Sequence, residues 1–322
     1  MYPSTGATIR ADLNLVVEEA SAADRFFIAD RVLPTMSVDA KSGTYAKVDI
    51  AGGALLDAVA TERARSGSYG EISRKWTNDT YDTVDRGLEE PVDDCDASDV
   101  GRFFNLESAA SRLCMRNVKL AAEVRAAAAI FNATTFGAGT NSTVAYTEAN
   151  IATIDFPADV LAAIERINDN GAEANTIVLS STVLNRLKRS TLLKAWVRGT
   201  LTGEVAMAIN ADSIAKSFAD HGITQCLVGR ARYNTAKKGA SKSVSSIWGN
   251  TYAWVGYVNP SARNPQDGGA GFTLVWNKEG GLYVTETYRN EGRRSNMVRV
   301  RQHTAEKITD ATQGTLITTQ YS

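Results

Sequence analysis

Apolar and polar residues alternate along two stretches near the N-terminus, residues 38–50 and 71–88. A period of two is typical of β-strands with one covered face. Residues 50–70 connect the stretches and carry glycines at both ends, so the pattern predicts a long β-hairpin. Few of its side chains could bury much area, and an isolated two-stranded ribbon is marginally stable in water. We therefore expect the hairpin to be supported from outside its own chain.

A single long amphipathic helix is predicted after the hairpin. Asp96 or Ser98 can cap it, and it runs to about Asn132. Its apolar positions recur in steps of three and four residues, with Asn117 as the only polar gap. A coiled-coil seam is one interpretation, but the many alanines favour close packing against a sheet or loop. The stripe comprises Phe103, Leu106, Ala110, Leu113, Leu120, Val124, Ala127 and Phe131.

The second half of the chain has the pattern of a compact α/β unit. A helix is predicted to begin at Pro157 and to end at Gly171, where these two residue types are common. The apolar run of residues 175–180 then predicts a buried strand. Short helices and apolar strands alternate after it, which favours an α/β arrangement. From residue 271 onward the pattern is mostly that of strands.

Charge and composition exclude several classes of protein. The 322 residues include 35 basic and 36 acidic side chains, so no overall field favours nucleic acid. The three cysteines, Cys95, Cys114 and Cys226, are widely spaced and are expected to be free thiols. No apolar run approaches the length of a membrane span, and residues 1–20 lack a signal-peptide pattern. We expect a cytoplasmic product that makes no membrane contact.

Motifs for catalysis or for cofactor binding are not recognisable. His221 is expected to cap a helix end, and His303 is expected to lie in solvent at a strand end. Neither histidine nor cysteine spacing suits zinc. The glycine-rich run of residues 136–141 follows a helix, which is the wrong context for a dinucleotide site. The sequence therefore predicts no catalytic residue, no cofactor and no metal site.

Two groups of basic residues have candidate partners. The first group either contacts phosphate or an acidic neighbour, or it forms a solvated loop. It comprises Arg230, Arg232, Lys237, Lys238 and Lys242. Residues 288–302 carry five arginines, and guanidinium groups suit bidentate pairing with carboxylates across an interface. The acidic run of residues 89–99 is a candidate partner for these arginines, and it also suits the positive end of the long helix.

Taken in chain order, five segments resemble the major capsid proteins of tailed double-stranded DNA phages, whose fold is named after the Hong Kong ninety-seven phage. Residues 29–49 look like the junction between the N-terminal arm and the extended loop of that family. The other segments resemble stretches of its axial domain and its closing strands. They are residues 175–190, 223–239, 248–258 and 288–317. The ordered set, rather than any single motif, carries the resemblance.

The resemblance implies an α+β fold that is divided along the chain. The implied parts are an N-terminal arm (1–37), an extended β-hairpin loop (38–88), a peripheral domain with a spine helix (89–150), an α/β axial domain (151–281) and closing strands that return through the peripheral domain (282–322). The hairpin would then lie on an adjacent subunit. The implied contacts between subunits are Phe26, Phe27, Val32, Leu33, Arg63, Arg65, Arg74, Lys75, Arg293 and Arg294.

By the same resemblance, the expected function is structural. Pentamers and hexamers would assemble into an icosahedral phage head around double-stranded DNA, without sequence-specific contacts. Separate scaffolding, portal and decoration proteins are possible partners. Assembly would take place in the host cytoplasm and the product would be the virion. The alternatives are an encapsulin-like cargo shell of the same fold and an α/β enzyme built on residues 151–280.

Overall fold

The computed structural model describes most of the chain. The described residues are 8–14, 16–17, 26–48, 61–63, 65–70, 76–99, 105–137, 140–142, 144–201, 208–237, 239–277 and 281–320. Helices, numbered in chain order, are α1 (Ala29–Val32), α2 (Asp94–Asp99), α3 (Leu106–Ile130), α4 (Ala133–Phe136), α5 (Phe156–Asn168), α6 (Ser181–Leu187), α7 (Thr191–Thr200) and α8 (Ala211–Ser217). Among these residues, no helix combines the length and apolar character needed to cross a membrane.

The strands form two main sheets and two ribbons. The strands are β1 (Thr8–Ile9), β2 (Thr35–Val38), β3 (Ser42–Val48), β4 (Trp76–Asp82), β5 (Val84–Asp93), β6 (Thr140–Asn141), β7 (Thr176–Ser180), β8 (Gln225–Gly229), β9 (Arg232–Asn234), β10 (Val244–Ser246), β11 (Tyr252–Gly256), β12 (Gly271–Trp276), β13 (Val284–Asn290), β14 (Ser295–Ile308) and β15 (Gly314–Thr318). The larger sheet has the order β1-β13-β14-β12-β2, and β5 pairs with β14 off this path. The second sheet has the order β6-β15-β11-β7-β8.

The larger sheet is organised around the long strand β14. One edge of β14 pairs with β5 over ten residues, and the other pairs first with β13 and then with β12. The helix α3 lies across β14 and β5. Its first turn is capped by Asn105, whose side chain accepts a hydrogen bond from the Ser108 amide.

The predicted phase of the long helix is wrong in part. Ala110 and Ala127 are buried as expected, but Leu113 is 51% exposed. The buried face instead includes Met115, Val118, Ala126 and Ile130. It also includes Ser111, Lys119 and Glu123, which a hydrophobicity pattern assigns to solvent. The predicted start is also early, because residues 94–99 form the separate helix α2 and Phe103 lies outside the described residues.

The second sheet and its helices enclose the largest apolar core. All five residues of β7 are buried, as the apolar run predicted. Helix α5 packs on this sheet after a cap in which the Asp155 side chain accepts from the Ala158 amide. Pro157 lies in its first turn, as the sequence predicts. Phe156, Ile177 and Phe218 are among the fully buried side chains of this core.

The hairpin is a two-stranded antiparallel ribbon. Strand β3 pairs with β4, from Ser42 opposite Asp82 to Val48 opposite Trp76. The predicted second strand continued to Leu88, but the structure breaks it at Thr83. The buried Thr83 donates hydrogen bonds from its amide and its hydroxyl to the Lys41 carbonyl. Residues after this break turn away from the ribbon and enter the larger sheet as β5.

One histidine expectation is also wrong. His303 lies within β14 rather than at a strand end, and its side chain is only 14% exposed. The edge of its ring packs against Trp276. His221 does lie at a helix end, in the 3₁₀ turn Ala219–His221, where Gly222 takes the left-handed conformation.

Candidate interaction surfaces

The predicted arm contacts divide into buried and exposed residues. Val32 and Leu33 are buried in the core of the chain, so they are not surface contacts, contrary to the expectation. An apolar cluster that ends at a proline is equally typical of a segment that is anchored inside its own chain. The sequence alone does not distinguish this internal role from a contact between subunits. Phe26 is 58% exposed and Phe27 is half-buried, and both remain candidates for contacts with another molecule.

The two phenylalanines line a cavity of about 370 Å³ beside the long helix. Leu120 contributes apolar surface to it, and three arginines from two elements surround it. They are Arg116, on α3, and Arg230 and Arg232, around the start of β9. Part of the basic cluster predicted from the sequence therefore lies beside an apolar surface rather than in a separate loop.

The solvent-facing side of α3 continues this surface. Between residues 109 and 128, its exposed positions are Ala109, Arg112, Leu113, Arg116, Asn117, Ala121 and Ala128. None of these seven side chains is acidic. A helix of a globular protein normally presents mixed polar and charged residues to solvent. This face instead combines apolar side chains with two arginines, which is typical of a surface that another molecule covers.

The arginines of the closing strands pair with the acidic run within the chain. Arg289 makes a bidentate contact with Asp94, with N–O distances of 2.6 and 2.7 Å. Those hydrogen bonds hold the pKa of the Asp94 carboxyl below its ordinary value. Arg299 contacts Glu89 at 3.0 Å. For these two pairs, the expected partner is correct, but the contact lies inside one chain. Arg299 and Glu89 are on the neighbouring strands β14 and β5, and Arg289 is on β13 while Asp94 begins α2 directly after β5.

Arg293 and Arg294 lie at the turn between β13 and β14 and are exposed. Within the described residues, neither forms an ion pair. Arg294 has φ 50°, in the left-handed region. These two arginines therefore remain candidates for contacts with another subunit.

The hairpin arginines are only partly described. Arg63 and Arg65 are exposed, and the Arg63 guanidinium lies 5.0 Å from the centre of the Tyr69 ring. Arg74 and Lys75 lie outside the described residues. Among the described residues, the hairpin is tied to the larger sheet by an ion pair of 3.0 Å between Asp79 and Lys307.

Buried ion pairs stiffen the larger sheet, and sequence reasoning missed them. Arg301 contacts Glu286 at 2.6 Å, and the Glu286 side chain is almost fully buried. Arg125 of α3 holds Glu306 of β14 through three hydrogen bonds of 2.8 to 3.0 Å. Removing one member of such a pair leaves an uncompensated buried charge. The Arg301–Glu286 pair therefore joins β14 to β13, and the Arg125–Glu306 pair fixes how α3 lies on the sheet.

A buried carboxylate on the same helix holds the arm. Glu123 is fully buried, and it accepts hydrogen bonds from the Ile28 and Ala29 amides and from the Trp248 indole. Burial raises the pKa of Glu123, although its hydrogen-bond donors oppose that rise. The sequence gives no signal for this contact, because Glu123 lies outside the predicted apolar stripe and its donors lie about a hundred residues away on either side.

Side chains that could bind a metal ion are dispersed over the described part of the chain. No group of three or more histidine, cysteine, aspartate or glutamate side chains is placed there to hold a metal ion. Cys114 and Cys226 are buried, and Cys95 is exposed.

The chain resembles phage capsid proteins both in sequence and in structure. No protein-family model matches it. The major capsid protein of Pseudomonas phage JBD67 is 26% identical over 226 residues, which cover 69% of this chain and 69% of that protein. A phage-related protein from Bordetella bronchiseptica RB50 superposes with a TM-score of 0.69 and 21% identity, covering 97% of each chain. The capsid of cyanophage P-SCSP1u gives a TM-score of 0.57 and 13% identity, over 93% of this chain and 90% of the other.

These similarities define the fold. The chain has the α+β fold of the Hong Kong ninety-seven phage-type capsid proteins, and the predicted fold class is confirmed. The resemblance to major capsid proteins of tailed phages that the sequence segments suggested is confirmed as well.

Proposed function

We propose that this chain is a major capsid protein, a structural subunit that self-assembles into the closed shell of a phage head. The observation that carries the proposal is the capsid fold, since the superposition with the capsid of cyanophage P-SCSP1u covers 93% of this chain. The sequence similarity to the Pseudomonas phage capsid protein supports the same role. The role is structural rather than catalytic.

The surfaces support contacts between many subunits. The β3–β4 ribbon has few buried side chains within its own chain, and a ribbon of two strands needs outside support. We propose that it lies on an adjacent subunit and that exposed Arg293 and Arg294 meet acidic groups of another. Repeated around a shell, weak contacts of this kind add up through multivalency.

The finer parts of the proposal follow from the family resemblance. Residues 1–37 form the arm, 38–88 the extended loop, 89–150 and 282–322 the peripheral domain, and 151–281 the axial domain. Subunits associate as pentamers and hexamers in an icosahedral shell around double-stranded DNA. Assembly takes place in the host cytoplasm, and separate scaffolding, portal and decoration proteins are possible partners.

Self-assembly is the direct test. Purified protein is expected to form closed shells or ring-shaped capsomers, measured by light scattering and electron microscopy. A deletion of residues 52–67, between the hairpin strands, should leave the thermal melt of the subunit unchanged but impair assembly. A chain that stays monomeric at all salt and pH conditions, even with scaffold supplied, would refute the proposal. Loss of subunit stability with intact assembly would instead place the hairpin inside the subunit.

A further inference from the structure

Three segments that are far apart in the sequence meet at the carboxylate of Glu123. The first segment is the start of α1, which leads from the arm into β2. The second is the long helix α3, which carries Glu123 itself. The third is the turn between β10 and β11, which carries Trp248. The junction therefore joins the arm, the larger sheet through its helix, and the second sheet.

The two carboxylate oxygens serve four hydrogen-bond contacts. Oε2 accepts from the Ala29 amide at 2.8 Å and from the Ile28 amide at 3.1 Å. Oε1 accepts from the same Ile28 amide at 3.0 Å and from the Trp248 indole at 2.5 Å. One oxygen is thus shared by the arm and by the tryptophan, so a shift of either donor changes the contact of the other.

Among the described residues, the capping position of α1 offers no substitute for this carboxylate. Ile28 is the residue before α1, and its side chain makes no capping hydrogen bond. The amides of Ile28 and Ala29 belong to buried residues. A buried amide without an acceptor is costly, whereas a hydrogen bond to an ionised group is among the stronger ones. The position of the arm therefore depends on Glu123.

Trp248 is in turn fixed by the second sheet. Its side chain is fully buried, and its ring lies edge-on to Phe131 with the centroids 5.2 Å apart. Gly229 of β8 makes room for it, because a Cβ at that position would lie 2.2 Å from the indole ring. The indole therefore packs directly against β8, so the position of the second sheet determines where the indole N–H lies relative to the carboxylate.

From this geometry we propose that Glu123 is a coupling residue that transmits movements of the Trp248 turn to the N-terminal arm. When the indole N–H is in place, the carboxylate is oriented and the arm is held. When the indole moves away, the carboxylate loses a charge-assisted bond, and the arm amides are released with it. Coupling of this kind is reciprocal, so displacement of the arm also loosens the tryptophan. It is a property of the single chain and does not depend on the proposed function.

The test compares two tryptophan-to-phenylalanine variants. Trp248→Phe removes the indole N–H that contacts Glu123, whereas Trp254→Phe removes a buried indole whose N–H has no hydrogen-bond partner among the described residues. Both side chains are fully buried in the same apolar cluster, so the loss of volume is matched. The readout is hydrogen exchange at the Ile28 and Ala29 amides, by mass spectrometry with residue-level fragmentation. All variants are compared in the same oligomeric state.

Trp248→Phe is expected to raise the exchange rate of the two amides by at least about tenfold. This factor corresponds to the loss of one hydrogen bond to a charged group. Trp254→Phe should leave them close to the wild-type rate. Glu123→Gln, which presents an N–H group to a site full of donors, should raise exchange at least as far and should also increase quenching of the Trp248 fluorescence by acrylamide. Equal exchange in the two tryptophan variants, or wild-type exchange in Glu123→Gln, would overturn the proposal.

Discussion

The orientation of the long helix gives a sharp prediction, because the same substitution has opposite consequences at two positions five residues apart on α3. Leu113 is 51% exposed, and Val118 is 4% exposed. Val118 packs with Val17, Met115, Tyr283 and Val300 in one apolar cluster. We therefore compare Leu113→Asp with Val118→Asp, which place the same carboxylate on the two faces of one helix.

The expected losses of folding stability follow from how deeply each of the two side chains is buried. Full burial of a leucine side chain contributes about 1.5 to 3 kcal/mol, so the half that Leu113 buries is worth about 1 kcal/mol. The poorer helix propensity of aspartate adds roughly 0.5 kcal/mol. At Val118 the carboxylate would enter an apolar cluster without a partner, which costs several kcal/mol or forces local rearrangement. Typical native stabilities are about 5 to 15 kcal/mol, so that loss is a large share of the total.

The assay is urea unfolding of the unassembled subunit, followed by far-ultraviolet circular dichroism. We expect a small decrease in midpoint for Leu113→Asp and a large decrease, or insoluble protein, for Val118→Asp. Equal decreases, or a larger one for Leu113→Asp, would refute the helix orientation described here. A Leu113→Asp subunit that folds normally but no longer assembles would place this exposed leucine in a contact between molecules.

Two further predictions concern thiols and surface charge. At pH 8 a small alkylating reagent should modify Cys95 in the native protein and all three cysteines after unfolding. The reason is that burial raises the pKa of Cys114 to about 11 and that of Cys226 to about 12, which makes these thiols unreactive in the native state. Rapid modification of either buried thiol in the native protein would contradict this prediction. Replacing Arg293 and Arg294 together by glutamate should lower the assembled fraction, most strongly at low salt, where repulsion is least screened. Equal assembled fractions for this double variant and the wild type at every salt concentration would show that these arginines make no contact between subunits.

Patterns that depend on neighbouring residues could be predicted from the sequence. The buried strand β7 and the start of α5 at Pro157 follow from a local apolar run and from the preference of proline for the first helical turn. The hairpin strands followed from alternation, although their end at Thr83 depends on a hydrogen bond to Lys41 that no local pattern encodes.

Features that depend on distant partners could not be predicted. The predicted phase of α3 is wrong because Lys119 and Glu123 are buried, whereas a periodicity analysis assigns charged residues to the solvent side. The pairing of Arg289 with Asp94 joins residues about two hundred positions apart, so the acidic and basic runs could be matched but not placed within one chain. The burial of Val32 and Leu33 likewise depends on residues of α3 that are distant in the sequence.

The central position of β14 has a consequence for synthesis of the protein on the ribosome. Strand β5 finds its partner only in residues 295–304, about 200 residues later in the chain. At a translation rate of about 5 to 20 residues per second, β5 waits roughly 10 to 40 seconds with that edge unpaired. The larger sheet therefore closes after translation of nearly the whole chain, and pairings this distant in sequence form slowly. During this interval the unpaired edge of β5 can pair with the edge of another chain, and a chaperone that covers this edge would prevent that pairing.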